Sequence, residues 1–156
     1  MDGIVAFPRR GWQGRGLNTK PPSSAARRLR ILTVDDAKAV RLLAQRALAP
    51  LACEFAEAAN GYNALFAMER ALPDLLLLDV MMPTMGGVEL LTLMRSNPTL
   101  KGIPVIMLTS PADHAVLPEL NALGIQGLLV KPVTEALLAE TARKVLGLGP
   151  AKSSPS

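Results

Sequence analysis

The chain has 156 residues, which suits one domain with a short excess rather than two domains. It carries 17 Lys and Arg residues against 13 Asp and Glu residues, and this formal charge of +4, taken alone, suggests a nucleic-acid or membrane-surface partner. The excess is local, because residues 1–30 hold seven basic residues and one acidic residue, while the remainder holds ten basic and twelve acidic residues. The basicity therefore belongs to a tail on a mildly acidic domain.

The apolar and cysteine content excludes further classes of protein. A hydrophobic fraction of 49% is enough to form a core, so the chain is not disordered throughout. No uncharged run reaches the roughly 18 residues of a membrane span, and the single cysteine, Cys53, excludes an internal disulfide and a cysteine-rich metal site. We therefore expect a soluble protein of the reducing cytoplasm without a membrane span.

Short apolar runs predict five β-strands, and apolar residues at helical spacing follow them. The strands are expected at residues 30–34, 53–58, 75–79, 103–108 and 126–130, and clear helical stripes lie near residues 40–48, 65–72, 87–94 and 138–146. Pro118 disturbs the remaining helical stretch, at residues 112–123. Either that helix begins late, near Leu117, or it begins at Ser110–Pro111 and Pro118 kinks it.

Strands that alternate with helices predict an α/β fold: a (βα)5 arrangement with a five-stranded parallel sheet, helices on both faces and right-handed crossovers. The domain is expected to span residues 30–147. Residues 1–29 are predicted to form a basic, disordered tail and residues 148–156 a flexible tail, because both are rich in Gly, Pro and Ser.

Polar side chains follow four of the five predicted strands. Asp35 and Asp36 follow the first strand, Asp79 ends the third, Thr109 follows the fourth and Lys131 follows the fifth. Because ligands of such sheets bind beyond the carboxyl ends of the strands, we expect these five side chains to converge on one edge. An Asp pair after a strand often only caps a helix, and a lone Thr or Lys there is usually structural, but five such positions on one edge indicate a site.

This set of side chains favours magnesium-assisted phosphoryl chemistry. Three adjacent carboxylates repel one another unless a cation neutralises them, and oxygen ligands without His or Cys suit Mg²⁺ rather than zinc. A lysine ammonium can pair with a phosphoryl oxygen, a hydroxyl can donate to it, and a carboxylate can accept the group.

The motifs around these positions resemble those of the receiver domain of bacterial two-component response regulators, in the single-domain, chemotaxis-type form. They are residues 31–36 (ILTVDD), 58–61 (AANG), 73–79 (PDLLLLD), 82–87 (MPTMGG), 103–110 (IPVIMLTS) and 130–132 (VKP). The resemblance covers about residues 30–146 and implies a flavodoxin-like doubly wound fold with strand order 2-1-3-4-5.

The resemblance also implies a role for each candidate residue. Asp79 is expected to take a phosphoryl group from the phosphohistidine of a sensor histidine kinase or phosphotransfer protein. Lys131, whose bond to the next proline is cis in the family, is expected to pair with that group, and Thr109 to swing towards it. The ligands implied for Mg²⁺ are Asp36, Asp79, the backbone carbonyl of Met81 and, through water, Asp35.

One departure concerns the residue three positions before the lysine, where the family usually has Tyr or Phe and this chain has Leu128. We hypothesise that switching here lacks an aromatic flip and relies on movement of the loop at Thr109 and Ser110.

The expected function is phosphorylation-dependent binding of a downstream protein, with no enzymatic activity beyond self-phosphorylation and self-dephosphorylation. Because few residues follow Leu146, no DNA-binding output domain is expected. The alternative is a receiver-fold docking module with weak or lost switching, which Leu128 and Pro118 favour. A magnesium-dependent phosphatase lacks the second carboxylate it needs after Asp79, and a nucleotide-binding Rossmann fold lacks a Gly-rich phosphate loop.

Overall fold

Six β-strands form one sheet in the computed structural model, which describes residues 4–5 and 28–149. Leu75–Asp79 and Val105–Thr109 are buried along their whole length, as the uninterrupted apolar runs predict for strands covered on both faces. The strands are β1 (Ile4–Val5), β2 (Arg30–Val34), β3 (Glu54–Ala58), β4 (Leu75–Asp79), β5 (Val105–Thr109) and β6 (Gly127–Val130).

The strand order across the sheet is β1-β3-β2-β4-β5-β6. The strands β2 to β6 are parallel, and when numbered one to five along the chain they lie in the expected order 2-1-3-4-5. The fold prediction is therefore confirmed. Val34 pairs with Leu78, and Asp79 pairs with Leu108. This register brings the carboxyl ends of β2, β4 and β5 to the same edge.

Helices cover both faces of the sheet. They are α1 (Lys38–Leu48), α2 (Gly61–Arg70), α3 (Gly87–Arg95), α4 (Leu117–Leu123) and α5 (Glu135–Leu146), with 3₁₀ turns at Ala49–Leu51 and Pro111–Val116. The inner faces of α1 and α5 pack with Ile31 and Leu77 in one hydrophobic cluster. The inner faces of α2, α3 and α4 pack with Leu76 and Leu78 in a second cluster on the opposite face.

Two prolines determine where neighbouring elements begin. Pro118 lies in the first turn of α4, after the 3₁₀ turn, so the late start is the correct one of the two alternatives. A proline is tolerated in the first turn because the amide it lacks has no partner there. Pro104 precedes β5, which begins at Val105 rather than at Ile103; Pro104 has no N–H to donate, and its carbonyl accepts a hydrogen bond from Leu76 N at 3.0 Å.

Within residues 1–29, the segment predicted to be a disordered tail, the structure describes residues 4–5 and 28–29. Ile4–Val5 pairs antiparallel with β3, with Ile4 opposite Ala58. The Arg28 guanidinium donates to the carbonyl oxygens of Ala52 and Cys53, both at 3.3 Å. Residues 1–3 and 6–27 lie outside the described part, so the disordered tail stays a prediction.

The expected C-terminal tail is described only at residues 148–149, where Leu148 N donates to Arg143 O at 2.8 Å. Residues 150–156 lie outside the described range. No helix in the part of the chain that the structure describes is long and apolar enough to span a membrane.

Gly87 is constrained by the strand that carries the candidate site. It is the first residue of α3, and a Cβ there would overlap the carbonyl oxygen of Asp79 and approach Val80 Cα to 3.0 Å. Both obstacles are backbone atoms, so they cannot rotate away. A side chain at this position therefore requires α3 to move away from β4.

We expect Gly87→Ala to lower the free energy of unfolding by about 1–3 kcal/mol because of this overlap. Ordinarily the same change inside a helix stabilises it by about 1 kcal/mol. Urea denaturation measures the difference. The control is Gly102→Ala, since a Cβ at Gly102 meets nothing within 4 Å, and its effect should stay within about 0.5 kcal/mol. Equal stabilities for the two variants would contradict the predicted overlap.

Candidate functional site

The carboxylate of Asp79 is almost completely buried. The four preceding leucines bury β4 on both faces and carry Asp79 to the end of the strand, where 5% of the residue is exposed. Burial raises the pKa of Asp79 from 3.8 to about 6; the hydrogen bond from Lys131 opposes this rise, and the charges of Asp35 and Asp36 add to it. At neutral pH the carboxylate is therefore ionised, but its charge is only partly neutralised.

Lys131 joins two strands of the site. It follows β6, and its Nζ donates to Asp79 Oδ1 and to Asp35 Oδ2, each at 2.9 Å. Burial alone lowers the pKa of Lys131, but the hydrogen bonds and charges of the two carboxylates outweigh burial and raise it above its ordinary value. The ammonium is therefore charged and fixed between β2 and β4. The bond from Lys131 to Pro132 is cis, as the family resemblance implies.

Asp35 is fully buried, and each of its polar atoms has a partner. Its amide donates to Ala58 O at 3.0 Å, its Oδ1 accepts from Ala37 N at 2.8 Å, and its Oδ2 accepts from Lys131. Its carbonyl accepts from Arg41 Nη1 at 2.7 Å. These bonds fix the β2–α1 loop and orient the Asp35 carboxylate.

Asp36 is the exposed member of the acidic group, and its carboxylate makes no hydrogen bond to any residue that the structure describes. Carboxylate oxygens of Asp35, Asp36 and Asp79 lie within 4.8 Å of one another. Three carboxylates at this separation, with no His or Cys among them, fit a hard divalent cation of the Mg²⁺ type. The predicted convergence of these side chains is therefore present in the structure.

The other two predicted residues lie at the same edge but point to different surroundings. Met81 is in the loop after β4, two residues beyond Asp79, and its side chain is exposed. Thr109 is buried at the end of β5, and its Oγ1 donates to Leu129 O on β6 at 3.4 Å. The hydroxyl thus faces β6 rather than the carboxylates. The expected roles of Met81 and Thr109 stay predictions.

Sequence reasoning missed two residues that hold the loops of the site. Arg41 on α1 donates to Asp35 O, and its Nε pairs with Glu57 at 2.7 Å. Asp113 accepts hydrogen bonds from Ser110 N at 2.7 Å and from Ser110 Oγ at 3.2 Å. The spacing of Ser110 and Asp113 is that of a capping box, which is a readable signal. Nothing in the spacing of Arg41 indicates its contact with Asp35.

Comparison with known proteins gives a consistent result. Residues 31–143 match the sequence model of the family described as the response regulator receiver domain. The chain is 35% identical over 118 residues to the chemotaxis protein CheY of Pseudomonas aeruginosa, covering 75% of this chain and 95% of that protein. It is 34% identical over 122 residues to the chemotaxis protein CheY1 of Helicobacter pylori, covering 76% and 98%. A solved structure of the chemotaxis response regulator CheY4 of Vibrio cholerae superposes with a TM-score of 0.70 at 32% identity, covering 76% of this chain and 99% of that one.

The raised pKa of Asp79 predicts a pH-dependent stability. The folded protein binds this proton more tightly than the unfolded chain, because the pKa is about 6 when folded against 3.8. The resulting stability is complete below the lower pKa and is lost as pH rises through 6. We therefore expect Asp79→Asn, which cannot ionise, to stabilise the metal-free protein by about 1 kcal/mol more at pH 8 than at pH 5.

Denaturation of both proteins in EDTA at the two pH values measures this difference. Glu119→Gln, which removes an exposed carboxylate from α4, is the matched control and should show no such pH-dependent gain. The same gain at pH 5 and pH 8 for Asp79→Asn would show that burial does not raise the pKa of this carboxyl.

Proposed function

Because the chain belongs to the response regulator receiver domain family, we propose that it accepts a phosphoryl group on Asp79 from the phosphohistidine of a histidine kinase or phosphotransfer protein. The reaction requires Mg²⁺, takes place in the cytoplasm and alters the affinity of the chain for a downstream protein. The observation that carries the proposal is the Lys131 ammonium between Asp35 and Asp79, at 2.9 Å from each.

Asp79 is the nucleophile in this proposal. Lys131 occupies Oδ1, and Oδ2 has no hydrogen-bond partner among the described residues. Oδ2 attacks the phosphorus of the donor, a new O–P bond forms, and the P–N bond to the donor imidazole breaks. The electron pair of that bond leaves with the imidazole. No proton has to leave Asp79, because a carboxyl with a pKa of about 6 is ionised at neutral pH.

Lys131 supplies the positive charge of the chain at the reacting group. Its ammonium is a compact charge with three donors, of which two already bind Asp35 and Asp79. Once Asp79 is an acyl phosphate, the ammonium can donate to a phosphoryl oxygen while keeping its contact with Asp35. The lysine is thus held in position before the donor arrives and needs no rearrangement.

The acidic group divides into two parts with respect to the metal. Asp36 and Asp79, with the carbonyl of Met81, would hold Mg²⁺ directly, and Asp35, whose two oxygens each already accept a hydrogen bond, would contact it through water. When bound, the ion neutralises phosphoryl oxygens and the excess charge of the carboxylates. The exposed position of Asp36 leaves it accessible to a hydrated cation.

Switching is proposed to begin at Thr109. Its bond to Leu129 O is long, at 3.4 Å, so a phosphoryl oxygen can displace it. In this chain the change then passes to the loop at Ser110, because Leu128 has no polar group and is 38% exposed rather than packed in a pocket. The same Leu128, together with the late start of α4, favours the second candidate function, a docking module that binds its partner whether or not Asp79 is phosphorylated.

Acetyl phosphate with Mg²⁺ separates the two functions. We expect the intact mass of the protein to increase by one phosphoryl group, in an adduct that is stable in acid and labile in base. The adduct should be absent in Asp79→Asn and in the presence of EDTA. It should persist in Glu119→Gln, which removes an exposed carboxylate on α4 that does not belong to the acidic group.

The absence of an adduct with every small donor, in protein shown to be folded, would favour the docking module. An adduct that persists in Asp79→Asn would place the acceptor elsewhere and contradict the proposed role of Asp79.

Removal of the exposed carboxylate tests the metal site separately. We expect Asp36→Asn to weaken Mg²⁺ binding by at least about tenfold, because a ligand is lost while the Lys131 contacts remain. Titration calorimetry with Mg²⁺ alone measures this change, with Glu119→Gln as the control. An unchanged Mg²⁺ affinity in Asp36→Asn would show that Asp36 is not a ligand of the metal.

A further inference from the structure

Asp113 is a buried carboxylate that the proposed phosphorylation chemistry does not use. It is 8% exposed and lies in the 3₁₀ turn Pro111–Val116. It accepts hydrogen bonds from the amide and the hydroxyl of Ser110, and its own amide donates to Ser110 O at 2.9 Å. The turn from Ser110 to Asp113 is therefore closed by three hydrogen bonds, one of which, Ser110 N to a charged carboxylate at 2.7 Å, is of the strong type.

This closed turn begins one residue after Thr109. Thr109 is the last residue of β5, and in the structure its hydroxyl donates to Leu129 O, away from Asp79. The long Thr109 hydrogen bond is weak compared with the bonds that Ser110 makes to Asp113. The Thr109 carbonyl accepts a hydrogen bond from Lys131 N at 2.7 Å, so β6 holds the Thr109 backbone at the strand end, while Asp113 holds the backbone of the next residue, Ser110.

We propose that Asp113 is a positioning residue that keeps Thr109 in the non-phosphorylated arrangement, through its hydrogen bonds to Ser110. The proposal rests on the proposed function, because it requires a phosphoryl oxygen on Asp79 to attract the Thr109 hydroxyl. When Thr109 turns towards Asp79, Ser110 moves with it and its bonds to Asp113 lengthen or break. The 3₁₀ turn that leads into α4 then loses its cap.

The energetic consequence follows from linkage. An interaction made in only one of two states shifts the equilibrium between them, and a ligand that selects the other state binds more tightly once that interaction is removed. A helix cap that forms only in the non-phosphorylated state would thus weaken binding of any phosphoryl-like ligand. A cap that persists in both states would have no such effect, although its loss would destabilise both.

Beryllofluoride with Mg²⁺ is the probe, since it forms a phosphoryl-like adduct on a carboxylate without group transfer. We expect Asp113→Ala to bind it about three- to tenfold more tightly than the unsubstituted protein, as judged by titration. The melting temperature of Asp113→Ala should fall without the probe and fall less, or not at all, when the probe is saturating.

The matched control is Asn97→Ala. Asn97 Oδ1 accepts hydrogen bonds from Thr99 N at 2.8 Å and Leu100 N at 3.3 Å, in the α3–β5 connection at the opposite edge of the sheet. Its loss should lower the melting temperature equally with and without beryllofluoride and leave the affinity unchanged. Ser110→Ala, which removes only the hydroxyl contact, should shift the affinity in the same direction as Asp113→Ala but less, and it serves in its place if Asp113→Ala does not fold.

Unchanged or weaker beryllofluoride affinity in Asp113→Ala, with equal destabilisation in both states, would show that Asp113 is a structural cap and would overturn the proposal. If Asp113→Ala does not fold, unchanged affinity in Ser110→Ala would overturn it in the same way. Failure of the unsubstituted protein to bind beryllofluoride and Mg²⁺ would instead overturn the proposed function itself, and with it the premise of the role proposed for Asp113.

Discussion

The site depends on one cation held by two buried carboxylates. Lys131 contacts Asp35 and Asp79, which lie 96 and 52 residues earlier in the chain, so the ammonium connects the end of the last strand to those of the first and third parallel strands. A carboxylate that is 5% exposed is costly to ionise unless a charge or hydrogen bond compensates the lost hydration. Lys131 supplies both. The same contact therefore stabilises the buried ends of the strands and orients the Asp79 carboxylate on which the proposed reaction depends.

Lys131 compensates the negative charge of the carboxylates only in part. The negative charge that remains determines which ions are favourable at the site. The Lys131 ammonium contacts two of the three carboxylates, those of Asp35 and Asp79, and the pKa of Asp79 stays raised even with Lys131 bound. Further positive charge at this edge is thus favourable, whereas an anion alone is not. In the proposed reaction, a phosphoryl group at this edge would therefore be stabilised only if a cation accompanies it, which is the physical reason to propose a divalent metal.

Most of the site could be predicted from the sequence because its residues lie at the ends of strands. The apolar run before Asp79 and the β-branched run before Asp35 locate two strands within a residue of the observed ones, and parallel strands bring their ends to one edge. The order of the strands came from the family resemblance rather than from the apolar pattern, which does not encode which strands are neighbours. The apolar pattern also does not predict the direction of a side chain. Thr109 lies at the expected edge, but its hydroxyl donates a hydrogen bond to Leu129 O on β6.

The remaining differences have local causes. The strand β1 has two residues, too few for any period to show, and its pairing depends on the free edge of β3 rather than on its own sequence. The start of α4 was ambiguous because Pro111 and Pro118 can each occupy a first turn, and the structure uses both, one in the 3₁₀ turn and one in the helix. Two successive short elements replace one longer helix after Thr109.

That replacement affects how a change at Asp79 can reach the surface. An inward-turning aromatic side chain on β6 would couple Thr109 to the outer face directly, but β6 presents Leu128 and Val130 outward, both substantially exposed. Leu128 is 38% exposed and has no polar group to bind in a new position, so it is not proposed to couple Thr109 to the outer face. The backbone after Thr109 is different: it enters a 3₁₀ turn of six residues, in which each hydrogen bond is a large fraction of the total. In the proposed switch, loss of the Ser110–Asp113 contacts would alter the start of α4, so the flexible step would lie in the β5–α4 connection and the rigid one in β6.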